Sequence, residues 1–193
     1  MTRESASEAQ ATEESMQRER IYSGRIVELI VDRLQINGRE AIREVVRHPG
    51  GVVVLVELEN GRIPFVRQSR YPMDKSLLEL PAGKLDPGED PIKSAARELE
   101  EETGLCPDYL EHVFSFYTSP GFCDELLHLY YTDRVRTTAC KFDHDEDIVI
   151  EEYSLEDAIK MCATGAIIDA KTLLALYWLK AKREEGTRGT KGT

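Results

Sequence analysis

The chain has 193 residues, with 25 lysines and arginines against 36 aspartates and glutamates, for a net charge of −11. That length suits one domain with tails, and that charge excludes nucleic acid as the main partner, because a phosphate backbone needs a basic footprint. No apolar run approaches about 18 residues and the N-terminus carries no hydrophobic leader, which predicts a protein with no membrane span.

"MTRESASEAQATEESMQRER" opens the chain with almost nothing to bury, so residues 1–20 are expected to form a mobile acidic tail. "REEGTRGTKGT" reads the same way, and one domain is expected over residues 21–182, with a flexible tail at 183–193. The domain begins as strands. "RIVELIVDRLQI" and "EAIREVVRH" flank Asn37-Gly38, and "GVVVLVELE" and "RIPFVRQ" flank Asn60-Gly61, so two hairpins are predicted. An acidic helix follows, then strand-like "HVFSFYT", "ELLHLYYTDRV" and "DIVIEEY". A helix capped by Ser154, with Asp157 three residues on, stops by Gly165, and a last helix runs through "AKTLLALYWLKAK". Strands with a few inserted helices imply an α+β domain, a mixed sheet packed between helices with an antiparallel hairpin region at its N-terminus. The four cysteines, Cys106, Cys123, Cys140 and Cys162, form no CxxC pair, which reads as reduced thiols in the cytoplasm.

The acidic helix poses a problem. It stacks Glu98, Glu100, Glu101 and Glu102 with Arg97 as the only nearby cation, and like charges at i,i+3 and i,i+4 repel. Asp90 suits its N-cap, Pro91 its first position and Gly104 its stop. At about 100° per residue, Ile92, Ala95, Ala96 and Leu99 share an apolar face. Glu98, Glu101 and Glu102 lie beside that face, while Glu100 points elsewhere. Three fixed carboxylates are hard oxygen donors of the kind that Mg²⁺ or Mn²⁺ takes, and Arg97 can orient Glu101. A lone acidic run would more simply be a solvated face.

The wider spacing decides between the two. Gly83, five residues, Glu89, seven residues, then Arg97-Glu98-Leu99-x-Glu101-Glu102-x-Gly104-Leu105 resembles the Nudix box without a departure. That resemblance implies the Nudix fold, a divalent metal and hydrolysis of a nucleoside diphosphate linked to another group, with Glu98, Glu101 and Glu102 as metal ligands. "REVVRHPGGVVVLVE", "VRQSRYP", "LLELPAGKLDPGED" and "FYTSPGFCDE" extend the likeness to the ADP-ribose pyrophosphatase branch. Pro120, fifteen residues beyond Leu105, is its sharpest local marker.

Residue by residue, the resemblance implies that the backbone of Ala82 ligates metal and that Arg70 contacts substrate. It assigns Ser119, Pro120 and Gly121, with Glu125 close behind, to the ribose–phosphate side of the pocket. Arg43 would reach a partner subunit's substrate with Glu44 beside it, since members of this branch are dimers whose N-terminal strands cross over. A general base is expected from "FDHDEDIVIEEY", with Glu146 best aligned and His144 where some relatives carry another acid. The expected activity is Mg²⁺-dependent cleavage of ADP-ribose to AMP and ribose 5-phosphate by a homodimer. Other nucleotide sugars (GDP-mannose, UDP-sugars) and a non-catalytic ADP-ribose-binding module are the alternatives.

Overall fold

The computed structural model describes residues 14–137 and 148–189, and these divide into two compact units. One comprises residues 14–48 with 119–125; the other comprises 49–118, 126–137 and 148–189. Each unit has its own sheet or sheets.

The first unit is an antiparallel sheet of β1 (Glu14–Ser23), β2 (Glu28–Ile36) and β3 (Arg39–Arg47), in that order. Asn37 and Gly38 take φ of +52° and +75°, and Ile36 pairs with Arg39. This is the two-residue turn that the sequence predicts, because its twist matches the strands it joins. Ile30, Asp32 and Leu34 are buried at the two-residue period of a strand with one covered face. Residues 1–13 lie outside the described residues, and β1 takes in residues 14–20 of the stretch expected to be a mobile tail. Its order comes from backbone pairing with β2, from Glu14 opposite Gln35 to Ser23 opposite Glu28, and from Arg18 forking Asp32 at 2.7 and 2.8 Å. A strand with few apolar side chains can still form where a neighbour supplies the hydrogen bonds.

In the second unit, β4 (Gly51–Val56) is the centre. It pairs antiparallel with β7 (Ala82–Lys84) and parallel with β10 (Leu126–Thr132), which in turn pairs with β9 (Glu111–Tyr117). A second sheet joins β5 (Arg62–Arg70), β6 (Lys75–Glu79) and β12 (Val149–Ser154), and a short ribbon joins β8 (Leu105–Pro107) to β11 (Val135–Thr137). The helices are α1 (Pro91–Thr103), α2 (Leu155–Thr164) and α3 (Ala170–Gly189). α3 therefore enters the stretch expected to be a flexible C-terminal tail, with Arg183 donating to Glu57 at 2.7 Å.

Every residue of β4 is buried, which is why "GVVVLV" reads as an unbroken apolar run. Val53 and Leu55 face a core shared with Leu155, Ala158, Leu176 and Leu179 of α2 and α3. Val52, Val54 and Val56 face Ala95 and Leu99 of α1. The mixed sheet thus lies between helices, as expected. The Asn60-Gly61 hairpin does not form, because β4 and β5 belong to different sheets. Leu58 and Arg62 close a tight turn there (2.8 Å), but β4 is already occupied on both edges by β7 and β10.

The buried face of α1 is also rotated from the expected one. Ser94, Ala95, Leu99, Glu102 and Thr103 are buried, whereas Ile92 is 41% exposed. Leu99 is fully buried between the helix and β4, so Leu99→Ala should destabilise the fold by about 2–5 kcal/mol. Denaturant unfolding with an unchanged slope would register that loss.

Candidate active site

The ends of α1 follow the sequence closely. Asp90 caps it by accepting the Ile92 N–H at 3.2 Å, and Gly104 ends it at φ +68° with its N–H on Glu100. The fixed frame turns the carboxylates toward β7. Glu102, only 4% exposed, accepts the Ala82 N–H at 3.0 Å. Glu98 packs so closely on Gly83 that a Cβ there would lie 1.9 Å from its carboxyl carbon. Gly83 is therefore required for room. Ala82 and Gly83 are in turn held in place by strand pairing with Val53 and Val52.

Arg97 holds the remaining acids together. Its Nε and Nη2 reach Glu89 at 3.1 and 3.0 Å, and its Nη1 reaches Glu98 at 2.8 Å and Glu101 at 2.9 Å. The guanidinium holds the Glu89 carboxyl down to about 2, and its acidic partners raise its own pKa further. Arg97 is the element that offsets the repulsion along the helix.

Among the described residues, no three His, Cys, Asp or Glu side chains converge as a finished metal cage. The donor chemistry nonetheless fits a hard divalent cation. Glu98 and Glu102 both bear on the Ala82–Gly83 backbone, and Glu101 lies within reach of the same guanidinium, at the more exposed border. All the side-chain donors are carboxylate oxygens, the set suited to Mg²⁺ or Mn²⁺.

Arg70, at the end of β5, is not simply solvated. Its Nε and Nη2 fork the carboxylate of Glu79 at 2.7 and 2.8 Å. Glu79 is 1% exposed and also ion-pairs with Lys171 of α3. Burial works against ionising Glu79, but Arg70 and Lys171 outweigh it and hold its pKa below the usual carboxylate value. Lys171 also meets Asp169 at 3.0 Å, and Asp169 accepts from Thr172, whose hydroxyl accepts the Leu80 N–H at 2.9 Å.

The other sequence candidates lie in the first unit. Arg43 and Glu44 are exposed neighbours on β3, opposite Asp32 and Val31. Ser119, Pro120 and Gly121 form a turn in which the Ser119 carbonyl accepts from Phe122 at 3.1 Å and Cys123 at 2.9 Å. Glu125 lies 3.4 Å from His48. Asp124, which the sequence reading passed over, anchors this loop by accepting from Arg47 at 2.7 Å and the His48 N–H at 2.8 Å. Glu146 and His144 lie outside the described residues.

Glu79, Lys171, Asp169 and Thr172 were also missed. Only Glu79 left a trace in the sequence, an acid inside the apolar run "LLELP", where a charge is seldom buried unless paired.

Residues 47–176 match the NUDIX domain family. The chain is 41% identical over 173 residues to the ADP-ribose pyrophosphatase of Bacillus subtilis (strain 168), covering 88% of this chain and 94% of that protein. It is 43% identical over 171 residues to the methanol dehydrogenase activator of Bacillus methanolicus, covering 87% and 92%. The crystal structure of an ADP compounds hydrolase superposes with a TM-score of 0.77 over 88% of this chain and 95% of that one, at 19% identity, which is a likeness of fold.

The close approach of Glu98 to Gly83 yields a direct check. A methyl group at Gly83 would displace the flexible end of Glu98, not the backbone. Gly83→Ala should therefore fold normally and weaken Mg²⁺ or Mn²⁺ binding by about tenfold or more, read by titration calorimetry.

Proposed function

This chain belongs to the Nudix hydrolase family, and on that premise we propose that it hydrolyses ADP-ribose to AMP and ribose 5-phosphate with Mg²⁺, or Mn²⁺ in its place. The observation that carries the reading is the full Gly83–Leu105 spacing folded as a unit. Glu98 and Glu102 bear on Ala82–Gly83, and Arg97 ties Glu89, Glu98 and Glu101. The similarity to an ADP-ribose pyrophosphatase over 88% of the chain supports the choice of substrate.

In this proposal Ala82, Glu98, Glu101 and Glu102 hold the ion, which when bound offsets the charge of the pyrophosphate and lowers the pKa of the attacking water. Arg97 keeps Glu101 and Glu98 oriented. Arg70 meets an anionic oxygen of the substrate. Ser119, Pro120, Gly121 and Glu125 contact the nucleotide side, and Glu146 takes the proton from the water as general base. The free thiols of Cys106, Cys123 and Cys162 suit a cytoplasmic setting.

A panel of nucleotide sugars with Mg²⁺, scored for monophosphate release, tests the substrate. ADP-ribose should be cleaved best; a preference for GDP-mannose or a UDP-sugar would replace it, and binding without release from any substrate would leave only a binding module.

Kinetics of single variants test the roles. Glu102→Gln should nearly abolish turnover in a folded chain. Glu146→Gln should lower kcat by about 10²–10⁴ with little change in KM, and His144→Ala should do much less. The reverse order would move the base to His144.

We also propose a homodimer in which Arg43 and Glu44 serve the partner's substrate. It is supported by the apolar side chains Ile21, Tyr22 and Ile26, which are 51%, 58% and 48% exposed in a single chain. Light scattering should give twice the 21.9 kDa chain mass, and a mass of one chain would count against it.

A further inference from the structure

Arg70, Glu79, Lys171 and Asp169 form a charge-balanced quartet of two cations and two anions. The quartet is too specific to be filler. Glu79 is 1% exposed; both of its oxygens accept from the Arg70 fork, and Oε2 accepts from Lys171 as well. Arg70 is bound side-on through Nε and Nη2, which leaves Nη1 on the opposite edge of the planar guanidinium. No acceptor meets Nη1 among the described residues. Glu102 acts electrostatically on this guanidinium, so Arg70 and the acidic cluster share one field. Without Lys171, the two anions Glu79 and Asp169 would face Arg70 alone, and the guanidinium would be drawn deeper into its pair.

We propose that Glu79 and Lys171 are positioning residues. Glu79 fixes the plane of Arg70, and Lys171 balances the anions behind it, so that Nη1 is presented to a phosphate oxygen of the substrate. The inference rests on the nucleotide-sugar reading above. A guanidinium set in advance binds an oxyanion without first losing side-chain freedom. Among the described residues Lys171 ion-pairs with Glu79 and Asp169, so its route to Arg70 runs through Glu79; a second route, through Asp169 and Thr172 to the Leu80 backbone, would show as a loss in the double variant beyond that of Arg70→Ala.

The test is titration of ADP-ribose in EDTA, which reads affinity with turnover silenced, on Arg70→Ala, Lys171→Met, Lys171→Arg and the Arg70→Ala/Lys171→Met double variant. Circular dichroism verifies each fold. Lys171→Met should weaken binding by about tenfold, the loss expected from one misaligned charged hydrogen bond, and Lys171→Arg should restore most of it. The double variant should bind no worse than Arg70→Ala, because Lys171 has nothing left to position. Independent, multiplicative losses would overturn the inference, as would unchanged binding by a folded Lys171→Met or by Arg70→Ala. ADP-ribose hydrolysis by the wild-type chain is scored separately. If that is absent, the substrate reading fails, and the same series titrated with inorganic pyrophosphate decides the positioning role.

Discussion

Carboxylates gathered on a turn and a half of helix repel one another, and Arg97 is the group that makes their gathering tolerable. It spans Glu89 in the preceding loop, Glu98 beside it and Glu101 one turn on, so a single side chain ties the loop to the helix. Lysine could not do this, because a point charge lacks the planar fork that serves three acids at once. The rest of the site inherits its geometry from that bond set. α1 presses its buried face on β4 with its acidic border balanced, and the Glu98 carboxylate can rest against β7 only because residue 83 has no side chain.

A second level of order surrounds the first. The segment from Leu80 to Gly83 is gripped from two helices, Thr172 of α3 holding the Leu80 N–H and Glu102 of α1 holding the Ala82 N–H. Buried backbone donors without partners are costly, so these side chains do structural and chemical service together. The path of the chain past the acidic helix is thereby fixed more firmly than strand pairing alone would fix it.

How much of this the sequence disclosed depends on how local the cause was. The Asn37-Gly38 turn, the Asp90 cap, the Gly104 stop and the spacing of the acidic helix are written in neighbouring residues and were legible. The Asn60-Gly61 turn shows the limit, since local turn chemistry fixed the bend while distant strands chose the pairing. β1 was illegible because its partner, not its own composition, orders it. The rotation of α1 toward Glu102 depended on Ala82, twenty residues away, and the Glu79–Lys171 pair joins positions 92 apart. No window slid along the chain could contain both ends of such a contact.

That long reach has a kinetic side. β4 pairs in parallel with β10, and the Leu80–Thr172 bond also closes a loop of 92 residues. Contacts so distant in sequence form late and slowly, because the loop must be closed before they reward it. On a ribosome, α1 emerges well before α3, when only the local Arg97 ties are within reach. The acidic helix must therefore wait, balanced by its own arginine, for the last helix of the chain to complete the frame around it.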